Sequence, residues 1–201
     1  MKKSIALLVP VFIVVTAFSL ADEKGKIVTA VDFQKQADSL GFIFSMPPNY
    51  VADSVRVNRD LYYCFAMKDT SADFEVRYSI WSLKSALVEY DRCKADPKCS
   101  SIHPDKLIYG RVQSNVLNMT AGASMDYSPF GTRAVGNEFN ADAGGSSFFE
   151  FNCEFGKGYK YGQAMYLHKD SIADVIITFM SNDRETHSDL MLKSFYALKF
   201  K

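Results

Sequence analysis

The 201-residue chain carries 23 basic and 23 acidic side chains, and 48% of its residues are hydrophobic. Balanced charge without a polybasic segment argues against binding to nucleic acid or to anionic membranes, because both depend on concentrated lysine and arginine. The length is that of one domain with a sizeable core.

The N-terminus has the order of a secretory signal peptide. Lys2 and Lys3 precede an apolar run that extends to Leu20, and small residues allow cleavage after Ala21. The alternative is a retained membrane anchor, since the run approaches the ~20 residues that span a bilayer. We expect a signal peptide over residues 1–21 and one exported domain over residues 22–201, periplasmic or secreted, with no further membrane span.

The first part of the predicted domain mixes helix and strand. Residues 32–40 predict a helix that ends at Gly41, with Asp32 as its N-cap. Residues 42–44 then alternate as a strand until Pro47 and Pro48. The runs LYYCFAM and DFEVRYSIW predict an antiparallel hairpin, and a helical pattern over residues 83–90 follows it.

Four cysteines follow the predicted leader: Cys64, Cys93, Cys99 and Cys153. An oxidising compartment favours disulfides, and the turn-forming residues between Cys93 and Cys99 favour that pair, which leaves Cys64 with Cys153. The Cys64–Cys153 pair depends on Cys64 pointing into the same core, so free thiols stay an alternative. A metal held by Cys93, Cys99 and His103 is disfavoured because zinc knuckles have tighter cysteine spacing.

The second part predicts helices and then strands. A helix begins at Pro104, and a loop covers residues 120–131. The stretches TRAVGNEFNAD, SSFFEFNCEFG, KYGQAMYLH and ADVIITFM predict strands, with turns at Gly144–Gly145 and around Gly156. A helix from about Asp183 onward closes the pattern. We therefore expect an α+β fold, an antiparallel sheet with helices packed on it.

The stretches GFIFSMPPNYV and VIITFMSNDRETHSDLMLKSFYALKF, with the order of elements between them, resemble the Mog1/PsbP-like fold family, including its exported bacterial members. The resemblance implies an α-β-α sandwich with a central antiparallel sheet flanked by helices. It also implies binding or assembly rather than a reaction, because those roles dominate the family.

The search for chemistry gives no catalytic residue, metal site or cofactor. His103, His168 and His187 lie in no nucleophile or metalloprotease motif, so we expect surface or capping roles for them. The carboxylates of Asp126, Glu138, Asp142, Asp170 and Asp174 are scattered and form no calcium-binding loop.

Two functions are compatible with these observations. The preferred one is a non-enzymatic exported domain that binds another envelope protein or a small apolar ligand, and it predicts an aromatic-lined patch or groove and no clustered titratable groups. The other is an extracytoplasmic hydrolase or another enzyme with an unrecognised site. It predicts at least one histidine that meets Ser, Asp or Glu in a cleft and has a perturbed pKa.

Overall fold

The computed structural model describes residues 26–123 and 127–201, so the predicted leader lies outside the described residues. The strands are β1 (Lys26–Ile27), β2 (Phe42–Phe44), β3 (Tyr50–Val55), β4 (Phe65–Asp69), β5 (Phe74–Ser82), β6 (Ser128–Pro129), β7 (Ala143–Glu150), β8 (Tyr161–Lys169), β9 (Ala173–Ser181) and β10 (Leu198–Phe200). The helices are α1 (Ala30–Ser39), α2 (Lys84–Lys94), a 3₁₀ helix (Pro104–Lys106), α3 (Ile108–Met119), α4 (Thr132–Phe139) and α5 (His187–Leu192).

One antiparallel sheet organises the domain. Its eight strands have the order β1-β3-β4-β5-β9-β8-β7-β6, and β2 pairs with β10 in a separate two-stranded sheet. The long strands β5, β8 and β9 form its centre, where β9 pairs with both neighbours along its whole length. The expected α+β architecture with a central antiparallel sheet is confirmed.

The two faces of the sheet differ in chemistry. The apolar face carries side chains such as Tyr78, Ile177 and Phe179, and α1, α4 and the β2–β10 pair cover it. The mixed face carries Ile176 and Met180 beside polar residues of β5 and β9, and α3 covers it through Val112 and Val116. Successive residues of a strand point to opposite sides, so β5 and β9 supply both faces.

The start of the domain follows the predicted pattern with a one-turn correction. Helix α1 begins earlier than expected because the Thr29 side chain, not that of Asp32, caps it by accepting from the Asp32 N–H at 3.1 Å. Gly41 follows the last turn of α1 and has a φ of 85°, a conformation that glycine adopts at little cost.

The stretch TRAVGNEFNAD was expected to be a strand, and this prediction is wrong because residues 132–139 form α4. Val135 and Phe139, four residues apart, are both buried, which places them on one side of a helix. Asn140 ends α4 in the left-handed conformation, which asparagine tolerates. The apparent alternation in this stretch is too short to separate the two periods.

The predicted Gly144–Gly145 turn is also wrong, because both glycines lie inside β7. A Cβ on Gly145 would lie 2.6 Å from the Tyr166 ring and 2.7 Å from the Ser128 carbonyl oxygen. These glycines therefore allow close packing and make no bend. The strand expected over SSFFEFNCEFG ends at Glu150, and β10 replaces the end of the predicted last helix.

None of the helices in the described parts of the chain combines the length and the apolar character that crossing a bilayer requires.

Candidate functional site

An apolar groove of about 320 Å³ lies beside α4. Its lining includes Pro129, Phe130, Ala134, Val135, Phe139 and Phe195. We call this feature the α4 groove. It matches the aromatic-lined patch or groove that a binding domain predicts. The other part of that prediction, no clustered titratable groups, is wrong, because such side chains meet at the β8–β9 turn.

Helix α4 forms one wall of the groove because of its own amphipathic pattern. Val135 and Phe139 anchor the helix on the apolar face and are almost fully buried. Ala134 is exposed beside them, and its small side chain leaves space above the helix backbone. The depth of the groove at this point therefore depends on a residue without a long side chain.

Aromatic rings form the other wall. The Phe130 N–H donates to the Gly144 carbonyl at 2.9 Å, which ties the segment before α4 to β7. The Phe195 ring meets the rings of Phe139 and Phe130 at centroid distances of 5.4 and 6.3 Å, both edge to face. This geometry is favourable for aromatic pairs, so the rings hold each other in place.

A polar pair borders the same helix. The Tyr196 hydroxyl donates to the Glu138 carboxylate at 3.2 Å, and the Tyr196 ring stacks on Phe139 at 5.5 Å. Desolvation and the neighbouring Glu138 raise the pKa of Tyr196. The groove thus combines an aromatic interior with hydrogen-bonding groups at its edge.

A second group of side chains, the His168 cluster, lies at the β8–β9 turn and comprises Asp105, Arg111, His168, Asp170 and Asp174. His168 faces Asp174 across β8 and β9, and its Nδ1 lies 2.6 Å from Asp174 Oδ1. Arg111 of α3 donates to the other oxygen of Asp174 and lies over the Trp81 ring. Asp174 is fully buried, and this pairing offsets the cost of burying its charge.

The other nitrogen of His168 faces outward. Its Nε2 lies 3.0 Å from Oδ1 of Asp170, whose side chain is 68% exposed. Asp105 is joined to the same turn because its Oδ1 accepts from the Ser171 N–H at 2.8 Å. Burial lowers the pKa of His168, but Asp174 and Asp170 outweigh it and raise this pKa.

His187 is buried as well. It lies between the rings of Phe74 and Phe148, and its Nδ1 is 2.7 Å from Oγ of Ser181. Desolvation lowers its pKa to about 4. The surface role expected for His168 and His187 is therefore wrong, because tertiary packing covers both rings.

His103 has the capping role that was expected. Its Nδ1 accepts from the Asp105 N–H at 3.3 Å at the start of the 3₁₀ helix, and its ring meets that of Tyr90. Ser181 beside His187 is fully buried, so a substrate cannot reach this hydroxyl–imidazole pair. The ring nitrogens of His168 face carboxylates, which are not the hydroxyl or thiol of an activated nucleophile.

The structure joins Cys93 to Cys99 and leaves Cys64 and Cys153 as free thiols. The expected Cys64–Cys153 pair is thus absent. Cys64 packs into the cluster on the apolar face and donates to the Tyr78 carbonyl, whereas Cys153 packs against the cluster on the mixed face. The sheet separates the two thiols. Burial raises the pKa of Cys64 to about 11, so this thiol is unreactive.

Sequence patterns missed both features for identifiable reasons. The α4 groove depends on a helix that the pattern assigned to a strand. The His168 cluster joins residues from the 3₁₀ helix, α3 and the β8–β9 turn, so no local motif encodes it. The available signal was the pair His168 and Asp174 on adjacent strands, because a short β-hairpin places such residues opposite each other.

Comparison with known proteins gives little beyond this geometry. No protein-family model and no curated protein matches the chain. The matching solved structures include the solution structure of cyanobacterial PsbP (CyanoP) from Synechocystis sp. PCC 6803, at 11% identity and a TM-score of 0.41, over 81% of this chain and 88% of that chain. A similarity at this level carries no argument about function.

Proposed function

We propose that the chain is an exported, non-catalytic domain that binds an apolar group in the α4 groove. The observation that carries this proposal is the groove itself, which aromatic rings line and which is open at the surface. Small-molecule sites are concave, mostly apolar and equipped with a few polar groups, and this groove has that composition.

The size of the groove limits its ligand. A volume of about 320 Å³ is near the lower end for small-molecule pockets. It accommodates one aromatic ring or one branched aliphatic group. The proposed ligand is therefore a small apolar molecule or a single apolar side chain of another envelope protein.

The environments of the histidines support a role without catalysis. His187 and Ser181 are sealed from solvent, and His103 caps a helix. The contact of His168 with Asp174 and Asp170 is the one observation that favours the second candidate, an extracytoplasmic hydrolase. We rank it second because neither ring nitrogen of His168 faces a side-chain hydroxyl or thiol in the described residues.

Export is the other part of the proposal. The lysine–apolar–small pattern before Asp22 supports it, and so does the Cys93–Cys99 disulfide, because disulfides persist mainly in oxidising compartments. Cell fractionation with intact-mass analysis tests export: we expect extracytoplasmic protein whose mass corresponds to residues 22–201. Cytoplasmic protein of full mass would contradict it.

Binding is tested by NMR with indole as the probe, because indole is a single apolar ring system with one donor. In the unchanged protein we expect saturable amide shifts at residues 130–139 and at Phe195. Ala134→Leu fills the groove and should abolish these shifts. Asn137→Leu, which adds the same side chain to an exposed position of α4 outside the lining, is the matched control and should retain them.

Two outcomes would overturn the binding proposal. One is the absence of saturable shifts at the groove in the unchanged protein. The other is an equal response in Ala134→Leu and Asn137→Leu, since the shifts would then arise elsewhere. Circular dichroism of both variants verifies that each is folded.

A further inference from the structure

Three potential metal ligands converge at the β8–β9 turn, on the mixed face and apart from the lining of the α4 groove. One ligand atom each from Asp105, His168 and Asp170 lies within 4.8 Å of the other two. His168 is buried, Asp105 is half-buried and Asp170 is exposed. The group is therefore supported from the protein interior and accessible from solvent.

The hydrogen-bonding pattern of His168 calls for a positive charge at the ring, which a metal ion at one nitrogen can supply. Both ring nitrogens lie within hydrogen-bonding distance of a carboxylate oxygen, from Asp174 on one side and Asp170 on the other. A neutral imidazole has a single N–H, whichever tautomer is present. One ring nitrogen would then direct its lone pair at a carboxylate, and either a second ring proton or a metal ion at that nitrogen removes the conflict.

On the buried side of the His168 ring, the carboxylate charge is already balanced by a basic side chain. Asp174 accepts from Arg111, and both are fixed by α3 and β9. A carboxylate that holds the inner nitrogen of a histidine is the usual outer-shell partner of a metal-binding imidazole, because it fixes the tautomer and orientation. A metal ion would therefore bind at Nε2, the nitrogen that faces Asp170 and Asp105.

The local charge balance favours the same conclusion. Asp142 adds a further carboxylate, which accepts from the Asp170 N–H at 2.9 Å. The nearby Lys169 ammonium donates to the carbonyl and side chain of Asn140 and keeps its positive charge. Because Arg111 balances Asp174, the carboxylates of Asp105, Asp142 and Asp170 outnumber the single charge of Lys169, and the outer part of the cluster keeps a negative excess.

We propose that Asp105, His168 and Asp170 bind a divalent metal ion of the zinc class, with at least one coordination position left to water or a partner group. An imidazole with two carboxylates suits Zn²⁺, which takes nitrogen and oxygen ligands at roughly 2.0–2.2 Å. Ca²⁺ and Mg²⁺ prefer all-oxygen sites, so we expect weaker binding of both ions.

The ligands must move closer to coordinate one ion. Tetrahedral coordination at these bond lengths requires ligand atoms roughly 3.3–3.5 Å apart, which is less than the present upper separation of 4.8 Å. Asp170 is exposed on a turn and can approach by changing its rotamer. Asp105 keeps its hydrogen bond to the Ser171 N–H through Oδ1. Its Oδ2 lies 3.3 Å from His103 Nδ1 and 3.5 Å from Ser171 Oγ, so it must exchange these contacts for the ion.

Isothermal titration calorimetry with ZnCl₂ tests the proposal, with CaCl₂ and MgCl₂ as comparison ions. We expect one Zn²⁺ per chain. The variant Asp105→Asn/Asp170→Asn removes two anionic ligands while keeping their shape, and it should weaken binding by at least tenfold. Asp73→Asn is the matched control, because Asp73 is an exposed, ion-paired aspartate beside the opposite end of β9.

A second measurement identifies the site independently of affinity. In ¹⁵N-detected spectra of the imidazole rings, Zn²⁺ should shift the Nε2 signal of His168 and leave the His187 signals in place. Three results would overturn the proposal: no saturable Zn²⁺ binding, equal affinity in the double variant and the control, or unchanged His168 signals at saturation. Free Cys153 is alkylated beforehand so that its thiol cannot bind the metal.

Discussion

The two faces of the central sheet are built from the same strands, yet they are stabilised differently. On the apolar face, Phe33 of α1 stacks on Phe65 with ring centroids 4.3 Å apart, and both rings are fully buried. On the mixed face, β5 contributes Glu75, Arg77 and Ser79 under a cover of apolar side chains. The first face gains free energy mainly from apolar burial, whereas the second must also satisfy several polar and charged groups of its central strands.

The mixed face satisfies its polar groups unevenly. Arg77 bonds to Glu75 and the Phe155 carbonyl, and its guanidinium lies over the rings of Tyr63 and Phe155. In contrast, the hydroxyls of Ser79 and Thr178 are buried without a hydrogen-bond partner. Buried polar groups are therefore either strongly paired or a net cost, and substitutions can separate the two cases.

The largest expected effect comes from breaking the Glu75–Arg77 pair. Glu75→Leu leaves the Arg77 charge buried without its carboxylate, so we expect the free energy of unfolding to fall by about 3–5 kcal/mol. Chemical denaturation measures this loss. The double variant Glu75→Leu/Arg77→Met removes both charges and should recover part of it. A single variant as stable as the unchanged protein would show that the pair contributes no more than a surface ion pair.

The next effect concerns His187, a buried ionisable group under the apolar face. The unfolded chain protonates this ring below pH 6.5, whereas the folded protein does so only near pH 4. Stability due to neutral His187 is therefore complete above pH 6.5 and decreases as the pH falls towards 4, by on the order of 3 kcal/mol.

His187→Phe keeps an aromatic ring between Phe74 and Phe148 but cannot titrate. We expect its unfolding free energy to depend less on pH between 6.5 and 4 than that of the unchanged protein, as measured by denaturation at several pH values. His103→Gln, which changes a histidine outside this pocket, is the control and should keep the original slope. Equal slopes in all three proteins would exclude His187 as the source.

The smallest expected effect concerns an unpartnered hydroxyl on the mixed face. Thr178→Val replaces an unpartnered buried hydroxyl with a methyl group of similar shape, so we expect a gain of about 1 kcal/mol in the free energy of unfolding. Thermal and chemical denaturation measure this gain. A loss of stability instead would mean that ordered water satisfies the Thr178 hydroxyl in solution.

The difference between apolar burial and specific polar contacts also explains which features of the fold the sequence could predict. Long runs of apolar residues predict strands β8 and β9 and the order of the layers. The signal of such a run does not depend on any single residue. Helix α4 was misassigned because four apolar positions in a short stretch fit two periods. The glycines of β7 were read as turn residues, since the rings that require them come from other strands.

The site residues were harder to predict than the fold. Asp174 and His168 look like ordinary polar residues of a hairpin in the sequence. Arg111 of α3 offsets the free-energy cost of burying them, and this contact forms only in the folded protein. The α4 groove likewise requires Phe130, Phe139 and Phe195 to meet in space. Both features are products of tertiary packing, which a single sequence does not display.

The pairing of β10 with β2 has a consequence for biosynthesis. Residues 198–200 must align with residues 42–44 before Phe42 and Phe200 can bury their rings against each other. A ribosome that has not yet translated residue 200 therefore holds a chain with an incomplete apolar layer. We expect nascent chains to stay unfolded or loosely collapsed until late in translation, which is a state that chaperones bind.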